Sequence, residues 1–351
     1  MALREYTSLG PKLIILMVLA GLFIGACSVT PQPTPSATPH PRTPTLTPLP
    51  TSTPTPPPLG TDANPLVLGI VSETDDPQAL AAAKDAIKSV QDLTGFVMVA
   101  KSYQSYVLLL SDMAFGKVEV AFLPPLTYLY AHQKGFAEVG MLTNHFGVYQ
   151  YGIRYYANVA SKYTIFYDPA NDRGTTDAAT ALKQFNGAQP CWVDPQSPSG
   201  YLAPLGYLAQ NGYKVKSGAF LESPVGVIRA LYITGVCDFG ATFATTGDAR
   251  TSPAVTKDLT DVMNRVVVIW QSDPVIPNLN LSFHPSVKLD MRQDLMFGFK
   301  DLVKDQKGRS IISIANNYEI VDLKNIDESV YQPLEDLVRV TTFDLLPLVG
   351  R

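Results

Sequence analysis

The sequence predicts an α/β protein of two lobes, each a mostly parallel sheet flanked by helices. Three observations carry this. The chain has 351 residues, enough for two domains and appendages at ~100–200 residues per domain, and its 46% hydrophobic content supplies their cores. From Asn64 onward, short apolar strands alternate with helical patterns, the signature of strand–helix–strand units with covered faces. The same alternation restarts near Pro190, so the second half repeats the first.

In the first lobe, Leu66 to Val71 reads as a strand. Asp76-Pro77 reads as a helix cap followed by proline at the first helical position. Leu80, Ala83, Ile87 and Val90 recur at helical spacing, and Gly95 terminates the helix. Phe96 to Ala100 is the next strand, Tyr106 to Phe115 a helix, and Val118 to Leu123 a third strand. Pro124-Pro125 breaks that strand before a helix over Tyr128 to Lys134. In the second lobe, Pro190 to Val193, Gly218 to Leu221 and Cys237 to Thr242 read as strands, separated by helices over Tyr201 to Gln210 and Val225 to Thr234. The expected boundaries are 64–153 for lobe 1, 154–264 for lobe 2, and 265–351 for a return to lobe 1 with closing helices. Two such lobes leave a cleft where strand ends and helix starts converge.

The first 63 residues read differently. Arg4 and Lys12 precede an apolar run, Leu13 to Ile24, that is too short for a confident membrane span and reads as a secretory signal over 1–27. It ends Ile24-Gly25-Ala26-Cys27, which resembles the bacterial lipobox. That resemblance implies that the Cys27 thiol takes a diacylglyceryl group. An uncleaved signal anchor is the alternative. Residues 28–63 are dominated by proline, threonine and serine. They cannot bury enough apolar surface to offset chain entropy, so an extended tether is expected, with a reach on the order of 100 Å.

Composition narrows the function. The formal charge is -4, and no basic stripe is visible for a nucleic-acid backbone. Four histidines and three cysteines occur, none at zinc-ligand spacing, so neither a metal nor another cofactor is expected. No hydrolase elbow or lysine-bearing phosphate loop is present, which argues against an enzyme. Ser197, Ser199 and Gly200 directly precede an apolar helix. Such a start offers free backbone N–H groups, hydroxyl donors and a favourable dipole to an anion, or Ser197 or Ser199 simply caps its own helix.

Four segments carry a family resemblance. They are Ser105-Tyr106 leading to Gly116-Lys117-Val118-Glu119-Val120-Ala121; Pro124-Pro125-Leu126-Thr127-Tyr128; Val193-Asp194-Pro195-Gln196-Ser197-Pro198-Ser199-Gly200-Tyr201; and Ile228-Arg229-Ala230 followed by Gly235 to Ala241. Over roughly 64–285 the chain resembles the phosphate/phosphonate-type substrate-binding proteins of ABC importers, with their type II periplasmic-binding fold. The resemblance implies an extracytoplasmic, lipid-anchored protein that binds a small oxyanion and delivers it to a membrane permease. It implies ligand contacts from Tyr106 and Tyr128 in one lobe and from Ser197, Ser199, Gly200 and Tyr201 in the other. The alternative is a surface-anchored sensing or scavenging lipoprotein with the same fold and a different or lost ligand.

The departures from the family pattern bear on that choice. Pro198 replaces a threonine and brings no N–H; Ser223-Pro224-Val225 replaces a serine–histidine–aspartate run; Pro124 replaces a glycine. Each lost partner to a buried oxyanion costs ~1–3 kcal/mol. If the acidic Glu73, Asp75 and Asp76 face the cleft they would repel an anion that carries no amine; the alternative is a solvated cap at a helix start. Glu222 and Asp248 are further candidates for an amine contact. In this fold Cys191 and Cys237 would start neighbouring strands, leaving a disulfide or two buried thiols as the open readings.

Overall fold

The structure is a computed structural model that describes residues 56–72 and 76–350. The expected signal, the Cys27 lipidation site and most of the tether lie outside the described residues, as do Glu73 and Asp75. The first half contains β1 (Leu66–Val71), α1 (Pro77–Thr94), β2 (Met98–Tyr103), α2 (Tyr106–Ala114), β3 (Val120–Leu123), α3 (Pro125–Gln133) and β4 (Glu138–Asn144). The chain then crosses to β5 (Gln150–Asn158), a small hairpin of β6 (Tyr167–Asp168) and β7 (Arg173–Gly174), α4 (Ala178–Leu182), β8 (Pro190–Trp192), α5 (Ala203–Gln210) and β9 (Ala219–Phe220). There follow α6 (Pro224–Ile233), β10 (Phe239–Ala244), α7 (Pro253–Thr256), α8 (Val262–Arg265), β11 (Val266–Gln271) and β12 (Ile276–Pro277). It returns through β13 (Asn280–Phe283), α9 (Leu289–Leu302), α10 (Gln306–Asn316) and β14 (Asp322–Asn325), and α11 (Gln332–Arg339) follows.

One 6-stranded sheet runs β14-β4-β13-β3-β1-β2; the other runs β11-β5-β10-β8-β9, with β12 also paired to β5. Each sheet is mixed. The strand–helix units give the parallel pairs β1–β2, β1–β3, β8–β9 and β8–β10. Strands that cross between the sheets add antiparallel partners, as β13 does on β3 and β5 does on β10. The expected boundary after 153 falls inside β5, which lies wholly in the second sheet, and β11 and β12 remain there after 264. The first crossing lies at 145–149, where His145 and Val148 exchange backbone hydrogen bonds of 2.8 and 3.1 Å. That turn places Phe146 and Gly147 at φ 47° and 87°.

Local chemistry starts and stops α1 where the sequence predicts, whereas α3 begins three residues before the expected Tyr128 and α5 two after the expected Tyr201. Asp76 caps α1, its Oδ1 accepting from the Gln78 amide at 2.9 Å, and Gly95 ends it at φ 77°, a conformation glycine adopts without Cβ strain. Ser105 and Ser223 cap α2 and α6 through the Leu108 and Gly226 amides. The small buried face of α1, with Ala79, Ala82, Ala83 and Ala86, lets α9 approach closely: a Cβ on Gly298 would lie 2.9 Å from Val90 Cγ1.

Cys191 and Cys237 are joined by a disulfide. It sits beside the two-residue ladder that pairs β8 with β10. One apolar cluster runs from Leu123 and Leu126 of lobe 1 through Tyr331, Leu334 and Leu337 to Tyr155 and Trp192 of lobe 2. The C-terminal part of the chain is thus core to both lobes.

Candidate functional site

The parallel strands β1, β2 and β3 end at one sheet edge, so the N-termini of α1, α2 and α3 gather there. The turn after β8 and the start of α6 occupy the matching edge of the second sheet. Such edges are where α/β sheets present free amides and positive helix ends.

The turn after β8 is a single π-helical turn, Pro198–Leu202, leading into α5. Ser197 caps it, with Oγ accepting from the Gly200 amide at 3.0 Å. The Tyr201 amide donates to the Ser197 carbonyl at 3.2 Å. Both amides expected to face an anion are therefore engaged inside the turn. Gly200 has a packing role as well, since a Cβ there would sit 2.4 Å from Val193 Cγ2. Ser199 is 8% exposed. Burial pushes the phenol of Tyr151 up to about 12, against a smaller lowering effect of the Ser199 hydroxyl.

Tyr151 in turn neighbours Tyr318, whose own phenol is raised by burial first and by Tyr151 second. Tyr318 lines an open cavity of about 790 Å³ together with Ser72, Asp76, Tyr106, Asn317 and Glu319.

Tyr106 stands half-buried at the first position of α2, on the cavity wall. Tyr128 is placed differently. It is fully buried, packed at 4.3 Å against the Tyr331 ring and stacked on His132 at 5.5 Å. Its hydroxyl makes no well-formed hydrogen bond. Thr127, one residue earlier, points its hydroxyl to the Gly350 amide at 2.7 Å. Tyr201 packs its ring on Phe343 at 5.4 Å, and Gln196 Nε2 donates to the Pro347 carbonyl at 2.5 Å. Pro347 and Gly350 are three residues apart, a span of at most about 11 Å. The Gln196–Tyr201 turn and the N-terminus of α3 are therefore bridged by the Pro347–Gly350 segment.

Of the acidic candidates, Asp76 is the cap of α1. Asp248 is committed to a buried network. Arg250 and Arg154 bind it at 2.6 and 3.3 Å; burial raises its pKa, but the two guanidinium groups prevail and hold it below the usual carboxylate range. Sequence reasoning did not single out Thr127, Tyr151, Gln196 or Tyr318. Thr127 and Gln196 lie inside the quoted segments, which offered a signal; Tyr151 and Tyr318 carry none.

These features define a two-lobed α/β binding protein of the type II periplasmic-binding class. The chain belongs to the family described as ABC transporter, phosphonate, periplasmic substrate-binding protein, which it matches over residues 68–331. That family is one of solute-binding proteins rather than enzymes. Among solved structures, XAC2383 from Xanthomonas citri bound to ATP has a TM-score of 0.56 at 17% identity, over 78% of this chain and 96% of that one. The same protein bound to chloride gives 0.55 at 18% identity and the same coverage. PhnD1 from Prochlorococcus marinus in complex with methylphosphonate is 13% identical over 78% of this chain and 97% of its own, at a TM-score of 0.47. No curated protein sequence matches the chain. Among the described residues, no helix is long and apolar enough to cross a membrane.

Proposed function

We propose that this protein is the extracytoplasmic binding component of an ABC importer and closes on a small oxyanion, such as a phosphonate, between its lobes. The observation that carries this reading is that the α2 and α3 N-termini and the Gln196–Tyr201 turn are all touched by one short segment, residues 343–350. Tyr106 and Thr127 supply hydroxyls from one lobe and Ser199 from the other, while Gly200 and Tyr201 place the turn. Closure is a population shift driven by tighter ligand contacts in the closed state, and the closed pair of lobes is what a permease would recognise.

A thermal-shift screen of the full chain tests this. The ligands are phosphate, phosphite, alkyl- and aminophosphonates, sulfonates and ATP, with neutral solutes as controls. A true ligand at 100 times its dissociation constant stabilises the protein by ~2.7 kcal/mol. A flat response to every oxyanion would remove the oxyanion reading and favour the second one: a surface-anchored sensing or scavenging lipoprotein with a changed ligand. Pro198 and the internally bonded Gly200 and Tyr201 amides are the observations on that side.

Attachment follows the same reading. Lipidation at Cys27 would tether the lobes outside the membrane on the proline-rich segment. In bacterial cells, Cys27→Ser is expected to abolish labelling by an alkyne fatty acid and to move the protein from the detergent phase to the aqueous phase on partition. Undiminished labelling of the variant would remove the anchor from the account.

A further inference from the structure

We propose that the C-terminal segment Phe343–Gly350 is an internal occupant of the ligand cleft, a strap that an incoming ligand must displace. The inference rests on the cleft assignment above and concerns how that cleft is regulated. The strap touches both lobes at the residues that frame the site. Phe343 covers the Tyr201 ring, the Pro347 carbonyl accepts from the Gln196 amide, and the Gly350 amide donates to Thr127. A Cβ on Gly350 would lie 3.7 Å from the Tyr106 ring. The Pro347 carbonyl oxygen takes a side-chain donor at the serine turn, which is what a ligand oxygen would do there. The Gly350 amide uses the Thr127 hydroxyl at the other lip.

The strap is also built to let go. Its entry residue, Thr342, has φ 54°. A β-branched residue in the left-handed region is strained and stays so only while its surroundings hold it. Leu346 and Pro347 are exposed, and Leu345 and Leu348 are the strap's buried anchors. The contacts on the framing residues include two hydrogen bonds and a tilted ring pair, polar contacts of the kind that a ligand with several oxygens replaces. While the strap occupies the cleft, the apparent dissociation constant exceeds the intrinsic one by the inverse of the open fraction. The strap thereby raises the ligand concentration needed for half-occupancy.

Hydrogen exchange of residues 343–350 in the full chain, with and without methylphosphonate, inorganic phosphate or ATP, tests this alongside calorimetric titration of the same ligands. A second protein, Phe343→Ser with Leu348→Ser, releases the strap. The expected result is that a ligand seen by calorimetry accelerates exchange across 343–350, and that the released variant binds it at least tenfold more tightly. Binding with unchanged or slower exchange of the segment overturns the strap while leaving the site assignment intact, and this arm holds even if the double variant fails to fold. Absence of binding by both proteins removes the site assignment itself, and the segment is then a fixed structural tail.

Discussion

Replacing Cys237 with serine is expected to lower the melting temperature of the oxidised protein by roughly 8 °C, taking about 2 °C per kcal/mol for a folded unit of this size. The Cys191–Cys237 bond spans 46 residues, and closing a loop of that length removes unfolded-state entropy worth about 4 kcal/mol. Its position makes the effect local as well as global. The β8–β10 ladder has only the pairs Phe239↔Pro190 and Gly240↔Cys191, so the disulfide holds a junction that backbone pairing alone secures weakly. The serine turn leaves the other end of β8, so loosening this junction also disturbs the candidate site. Calorimetry with and without reductant checks the prediction: reduced wild type should melt with the variant. A wild-type transition unmoved by reductant, with no free thiol consumed in the unreduced protein, would contradict it.

Gly206→Val is expected to destabilise the fold by about 3 kcal/mol, at the upper end of ordinary overpacking. Gly206 lies where α5 meets α11. A Cβ there would fall 2.5 Å from the Leu337 carbonyl oxygen and 2.8 Å from Leu337 Cβ. The first of these is backbone, so no rotamer change relieves it, and α11 must move. Because α11 leads into the strap, its displacement should also speed proteolysis after Arg339. Ala209→Val, exposed on the same helix, is the control and should cost no more than the propensity difference, about 0.5 kcal/mol. Equal stability of the two variants would show that the close α5–α11 approach is not needed.

Much of the architecture was legible in short-range chemistry. Asp76-Pro77 and Gly95 are capping signals whose partners lie within a turn or two, and the structure places each as a cap. The βα alternation likewise identified lobe-forming units. The antiparallel crossing strands were not legible. β13 reads as polar, with Asn280 and Ser282, yet both are fully buried because Asn280 donates to the Leu123 carbonyl and the Tyr331 hydroxyl at 2.9 and 2.7 Å. β5 is buried nearly throughout, so it lacks the alternation that marks a half-exposed strand, and the mostly parallel expectation gave way to mixed sheets.

The site was legible in part for the same reason. The Ser197 cap and the placing role of Gly200 follow from neighbours in sequence. Tyr128 shares its spacing with any core tyrosine, and only the packing of Tyr331 and His132 around it distinguishes the two. The strap could not be read at all, because its hydrogen bonds reach 151 and 223 residues back along the chain.

The central claim is that an oxyanion is held at the serine turn facing lobe 1, and calorimetric titration of wild type against Ser199→Ala tests it most directly. The titrant is the ligand giving the largest thermal shift. Losing the Ser199 hydroxyl removes one donor to a charged ligand, a loss of ~1–3 kcal/mol, so the variant should bind tenfold or more weakly while melting within a degree or two of wild type in the absence of ligand. Equal affinity for wild type and variant would contradict the claim and place the ligand elsewhere.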